Sequence, residues 1–152
     1  MDAFVQILMA TLGSFGFNIL FNIRGRRLLI ATLGGTLSWI VYLALVPVVS
    51  SEYLRYFWSA AAVTAYGEVF ARVCKTPTTT FLVPSVVPLI PGGSLYHTMH
   101  YAMEKQWDKF SSQGFKTLQL ALALAVGIIA VTTAVRLAKA ALRRIRKRKT
   151  LR

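Results

Sequence analysis

Apolar residues along this chain neither alternate nor recur as a single helical stripe. They run on in five stretches, at about 3–21, 28–49, 57–73, 78–101 and 117–135, separated by short joints that carry the charge. Each stretch is close to the roughly 20 residues a helix needs to cross a hydrocarbon core. The pattern predicts an all-α integral membrane protein with about five transmembrane helices, a membrane domain over 1–135 and a basic tail over 136–152. The fourth stretch differs from the others because Pro77, Pro84, Pro88 and Pro91 punctuate it and Gly92-Gly93 follows. Proline removes a backbone donor and clashes with the carbonyl four residues back. The prediction is a half-helix, a break at about 88–93, and a second half-helix from Ser94, a residue suited to an N-cap. The plainer alternative is a kinked packing helix, since proline is more frequent in membrane spans than in soluble helices.

Composition strengthens the membrane reading. Of the 152 residues 55% are hydrophobic and 15% charged, more apolar surface than one small soluble domain can hide. The formal charge of +13 would suggest nucleic acid in a soluble protein, but the placement of the charges argues against that partner. Arg24, Arg26, Arg27, Arg72, Lys75 and the basic run from Arg136 to Arg152 fall on one side of the five-span pattern. The other side holds Arg55, Lys105, Lys109 and Lys116, with Asp2, Glu52, Glu104 and Asp108. By the Lys/Arg bias of membrane loops this puts the N-terminus outside and the C-terminus in the cytoplasm. The tail, next to a span, is suited to anionic lipid headgroups. The first stretch has neither a basic start nor an Ala-x-Ala site and reads as a retained helix.

Glu68 is the acidic residue that this layout leaves inside a span. An unpaired carboxylate there is costly, so it pairs, protonates or faces the bundle interior. Arg72 stands one helical turn on, with Thr64 and Tyr66 close in sequence. Two roles stay open: a brace near the cytoplasmic interface, or substrate and proton handling. At the proline break, a half-helix starting near Ser94 would offer unpaired amides and a positive dipole end to an anion, making Pro88, Pro91, Gly92, Gly93, Ser94 and Tyr96 candidate site residues. Asn18 and Asn22, one turn apart near the exit of the first span, and His97 are accessory candidates. His97 and His100 without a Cys or carboxylate set do not suggest a metal site, and no residues call for a cofactor. Cys74 is the single cysteine and is read as a reduced thiol. Trp39, Trp58 and Trp107 suit packing or interfacial anchoring, and Met103 to Phe115 reads as an amphipathic linker on the outer interface. Small residues at Gly34-Gly35, Ala44, Ala121, Ala123, Ala125 and Gly127 permit close helix approach, within the chain, with a second copy as a homo-oligomer, or with another subunit. Without Gly-x-Ser-x-Gly, His-Glu-x-x-His or a phosphate loop, the sequence does not read as an enzyme.

Several of these residues carry a resemblance. Glu68-x-x-x-Arg72, Pro77, then Phe-Leu-Val-Pro84-Ser-Val-Val-Pro88-Leu-Ile-Pro91-Gly92 and Tyr96 are similar to the threonine/serine exporter (ThrE-like) family. So is the stretch Phe-Asn-Ile-Arg-Gly-Arg-Arg at 21–27 with Gly34-Gly35 beyond it. The chain resembles in particular that family's small split subunit, the YjjB type, over nearly its whole length up to the basic tail. The resemblance implies a secondary exporter of small carboxylate-bearing metabolites, threonine and serine or succinate-like dicarboxylates, in the inner (plasma) membrane. It also implies a larger, YjjP-like companion subunit that supplies the other half of the membrane domain. The alternative is a non-transporting structural or assembly subunit of a membrane complex.

Overall fold

The computed structural model describes residues 2–150, with side chains described from 2 to 141. Among the described residues every regular element is helical: α1 (Ala3–Leu20), α2 (Arg26–Leu45), α3 (Glu52–Val73), α4 (Thr79–Val86), a 3-10 turn (Val87–Leu89), α5 (Gly92–Met103) and α6 (Trp107–Thr150). Three are long and apolar enough to cross a membrane: α1, α2 and the Trp107–Ala141 part of α6. The stretch expected as a third span lies in α3, which at 22 residues rises about 33 Å. Its polar content is turned inward, where Ser59, Thr64 and Glu68 are buried. The stretch expected as a fourth span is divided between the short apolar Thr79–Leu89 segment and α5. Met103 to Phe115, expected as an interfacial linker, is instead a tight turn followed by the first turns of α6. Nothing from Trp107 onward breaks a helix more strongly than Gly114, so α6 propagates without interruption. The basic side chains of Arg143, Arg144, Arg146, Lys147, Arg148, Lys149 and Arg152, and with them the expected lipid contact, lie outside the described side chains.

Three helices end by one local device. Asn22, Lys75 and Lys105 adopt left-handed backbone at φ 55°, 49° and 58°. The next residue's amide then reaches back five positions, Ile23 to Asn18 at 3.0 Å, Thr76 to Ala71 at 2.9 Å and Gln106 to Tyr101 at 2.9 Å. This is the Schellman closure, which satisfies carbonyls a helix end would leave bare. Asn22 is thereby fixed as the turn residue after α1 and is exposed, whereas Asn18 is fully buried; the two do not share a site.

Polarity is distributed as a lipid-facing bundle requires. Phe4, Leu8, Leu12, Phe15 and Ile19 of α1 point outward, while Ser14, Asn18, Ser38, Ser59, Thr64 and Ser85 are fully buried. Lipid provides no hydrophobic drive for helices to meet, so close packing and buried hydrogen bonds must hold them. Packing is closest at glycines. A Cβ on Gly35 would collide with the Ser14 hydroxyl and come within 2.6 Å of Ser14 Cβ, and one on Gly34 would collide with the Ser85 hydroxyl and approach Tyr66 to 2.9 Å. Around that contact Tyr66 donates to the Ile30 carbonyl at 2.8 Å and Ser85 to the Ala31 carbonyl at 3.2 Å. Asn18 donates to Ser14 O at 2.7 Å and to the Thr32 hydroxyl at 3.2 Å. A second close approach joins α3 to α6, where a Cβ on Gly127 would lie 2.6 Å from the Phe57 carbonyl and 3.0 Å from Ala60 Cβ.

The carbonyl of Phe57 belongs to helix backbone and cannot turn aside. Gly127→Ala should lower unfolding stability in detergent by about 1–3 kcal/mol through overpacking. Gly13→Ala, in α1 with open space around the new methyl group, should be neutral or stabilising by up to about 1 kcal/mol. Equal melting temperatures for the two variants would contradict this packing.

Candidate functional site

Glu68 is the best-organised polar group in the structure. It is 7% exposed and stands in the last third of α3, where α4 and α6 pass. Its Oε1 accepts a hydrogen bond from the Thr78 hydroxyl at 3.1 Å, and its Oε2 accepts one from Lys139 Nζ at 3.2 Å. Arg72, one turn along α3, places Nη2 3.6 Å from the same Oε2. One carboxylate thus gathers three elements: α3, which carries it, Thr78 at the head of α4, and Lys139 on α6. The Arg72 side chain is 53% exposed and that of Lys139 46%, against 9% for that of Glu68. The two cations are thus about half exposed while the carboxylate they flank is enclosed, and their pairing lowers the cost of holding its charge inside.

Thr78 and Lys139 were not among the residues singled out from sequence. Lys139 reads as one more member of the basic tail until the helix carrying it is known to run beside α3. Thr78 had a weak signal, a threonine just after Pro77 at a helix start; its hydroxyl goes to Glu68, not to a backbone amide of α4.

The proline segment lies at the other end of α4. Pro84 sits inside α4, and Val87–Leu89 tightens to a 3-10 turn. Ile90 is extended at φ −63°, ψ 124°, and Pro91 at φ −74°, ψ 55° allows the Gly92 amide to bond Ile90 O at 2.6 Å. This is an inverse γ-turn, and it redirects the chain into α5. The first helical bond of α5 runs from Leu95 N–H to Pro91 O at 3.0 Å, no side chain caps the helix, and Gly92 and Gly93 have open space around them. Pro88 lies beside a crevice of about 250 Å³ lined also by Gln6, Met9, Ala10 and Trp39.

The structure does not bring Glu68 and the Pro88–Ser94 segment together. Thr78 opens α4 and Gly92 follows its end, so α4 and the 3-10 turn put about 18 Å of helical rise between them. Tyr96 and His97 are exposed on α5; Tyr96 stacks on His100 at 6.2 Å with the rings 7° from parallel, and His97 stacks on Tyr101 at 6.5 Å. His100 in turn faces Glu104 at 3.4 Å. Asn18 belongs to the seam between α1 and α2, where its Oδ1 and the Ser14 hydroxyl are buried without a protein partner.

Residues 6–134 match the family described as Threonine/Serine exporter, ThrE. No curated protein and no solved structure matches the chain.

Distances within the Glu68 cluster set a measurable order. A double-mutant cycle for Glu68→Gln with Lys139→Gln, followed by thermal unfolding, should give a coupling of about 1 kcal/mol, and the Glu68–Arg72 cycle less than half of that. Equal couplings would mean that Lys139 is no closer a partner than Arg72.

Proposed function

Because the chain belongs to the threonine/serine exporter family, we propose that it is the small subunit of a two-component, proton-coupled exporter of small carboxylate-bearing metabolites. Family membership makes its function exporter-type transport, and its several long apolar helices make it a multi-pass membrane protein. The finer reading is that five segments cross the inner membrane with the N-terminus outside. In it α3 is the third, and α4 and α5 together form a broken fourth. Short arrays of this size leave a half-sized bundle, and transporter sites commonly form between two halves. A larger, YjjP-like companion would supply the second half.

The observation that carries the mechanism is the buried Glu68 carboxylate at the junction of α3, α4 and α6 in a chain of this family. Intramembrane acids mark proton and substrate paths. When Glu68 takes up a proton, the attraction of Lys139 and Arg72 is lost, so α6 is released from α3 at this end while Thr78 remains the tie to the head of α4. Substrate would be received at the far end of α4, in the crevice beside Pro88, with its carboxylate toward the uncapped start of α5 at Gly93 and Ser94. Gly92 has open space around it, and Tyr96 is exposed one turn into α5. Glu68 and the substrate therefore act on one another through α4 and not by contact. An assembly role would instead make Glu68 only a brace.

Cells lacking their own exporters, loaded with threonine, serine or succinate, test this directly. Export should require both this chain and the companion, and the substrate exported identifies the class. A gradient of one pH unit carries about 1.4 kcal/mol per proton, or about a tenfold concentration ratio. Glu68→Gln should lose that tenfold response while still assembling; normal pH-driven export by this variant would remove the proton role. Gly92→Leu should reduce export at least about tenfold by closing the approach, and undiminished export would move the substrate site elsewhere.

A further inference from the structure

Among the described residues, the ion pairs that join two different helices both fall in the contact between α3 and α6. Its residues pair in the same order on both helices: Glu52 with Lys116 at 2.9 Å, Phe57 and Ala60 with Gly127, and Glu68 with Lys139 at 3.2 Å. The two helices are therefore parallel, with an ion pair at each end of the contact and a glycine crossing between. Lys116 and Lys139 lie about 17 and 18 Å of helical rise either side of Gly127, and Glu52 and Glu68 each lie about 12 Å from Ala60. Between the ion pairs the surfaces are apolar: Ala60 and Val63 of α3, with Leu124 and Ile128 of α6 packed against them, and Leu120 fully buried. Thr64, on the same stripe of α3, bonds back to its own helix at Ala60 O at 2.6 Å, and among the described residues no side-chain hydrogen bond crosses the middle of the contact.

We infer that α6 rocks on α3 about the Gly127–Ala60 crossing, with Lys116 and Lys139 as the positioning residues that latch its two ends. In the structure both latches are closed. Breaking one ion pair lets that end of α6 swing away while the crossing stays packed, because the crossing itself is formed by Gly127 and Ala60 and the opposite ion pair holds. Release at Glu68–Lys139 opens the end where Thr78 heads α4; release at Glu52–Lys116 opens the opposite end, where Arg55 lies over the Tyr42 ring and where α6 carries α5 with it through the Thr98–Thr117 hydroxyl contact at 3.2 Å. The purpose of the motion rests on the transport reading; its geometry does not.

The test uses the full chain in native membranes, with Cys74→Ser as background and one reporter cysteine in each half of the contact. Leu120→Cys lies between Lys116 and the crossing. Thr64→Cys lies between the crossing and Glu68, on the same helical stripe as Ala60 and Glu68. Lys116→Gln should speed labelling of the Leu120→Cys reporter by a membrane-impermeant maleimide about tenfold, leaving Thr64→Cys slow, and Lys139→Gln should do the reverse. The exchange Glu52→Lys with Lys116→Glu, and the conservative Lys139→Arg, should return labelling to the parent rate. Unchanged labelling in both latch variants, or acceleration of both reporters by either, overturns the rocking motion. If the labelling pattern holds but cells with the companion export nothing, the motion stands and the transport reading fails.

Discussion

With only hydrogen at Gly34 and Gly35, α2 can lie against α1, α3 and α4 at one level of the bundle. The Ser14, Tyr66 and Ser85 side chains occupy the space a Cβ would need. Everything else in the N-terminal part of the fold follows from that approach. The Tyr66 and Ser85 hydroxyls reach carbonyls of α2 only because the helices are this close, and Asn18 reaches Thr32 for the same reason. In lipid, where apolar surface gains nothing by leaving the solvent, such contacts are what separates a packed bundle from independent helices.

The same economy explains α3. Its polar residues make it the least lipid-like of the long helices, and it is also the most enclosed, with α2, α4 and α6 around it. Its outward side is apolar, with Leu54, Trp58, Val69 and Val73 exposed, and its enclosed side carries Thr64 and Glu68. Glu68 is tolerated because two cations and a hydroxyl converge on it, and the convergence makes its charge state matter to three elements at once. Loss of that charge relaxes the hold on α6 and leaves the Thr78 hydroxyl as the tie to the head of α4. A function that depends on moving helices therefore has its natural control point there.

Much of the fold was legible from residues. The α1 and α2 limits follow from the apolar runs and from the polar Asn22 to Arg27 joint, and Glu68 with Arg72 was found by charge in an apolar context and helical spacing. The start of α3 five residues ahead of its expected stretch, and the absorption of Trp107 to Phe115 into α6, were not legible. Charged residues such as Glu52, Arg55 and Asp108 depress hydropathy without interrupting a helix. Asn22 misled in another way, since spacing alone put it beside Asn18 while the left-handed turn carries it out to the surface.

The sequence by itself determined that the chain is a multi-pass helical membrane protein of the exporter family, because run length, charge placement and the proline motif are local properties. Only the tertiary structure decided which groups meet: Lys139 with Glu68, Lys116 with Glu52, Gly127 with Phe57, and the separation of Glu68 from the Pro88–Ser94 turn by the length of α4. Those pairings join residues far apart in the chain. They depend on the direction and face with which one helix lies against another, which no window of sequence contains.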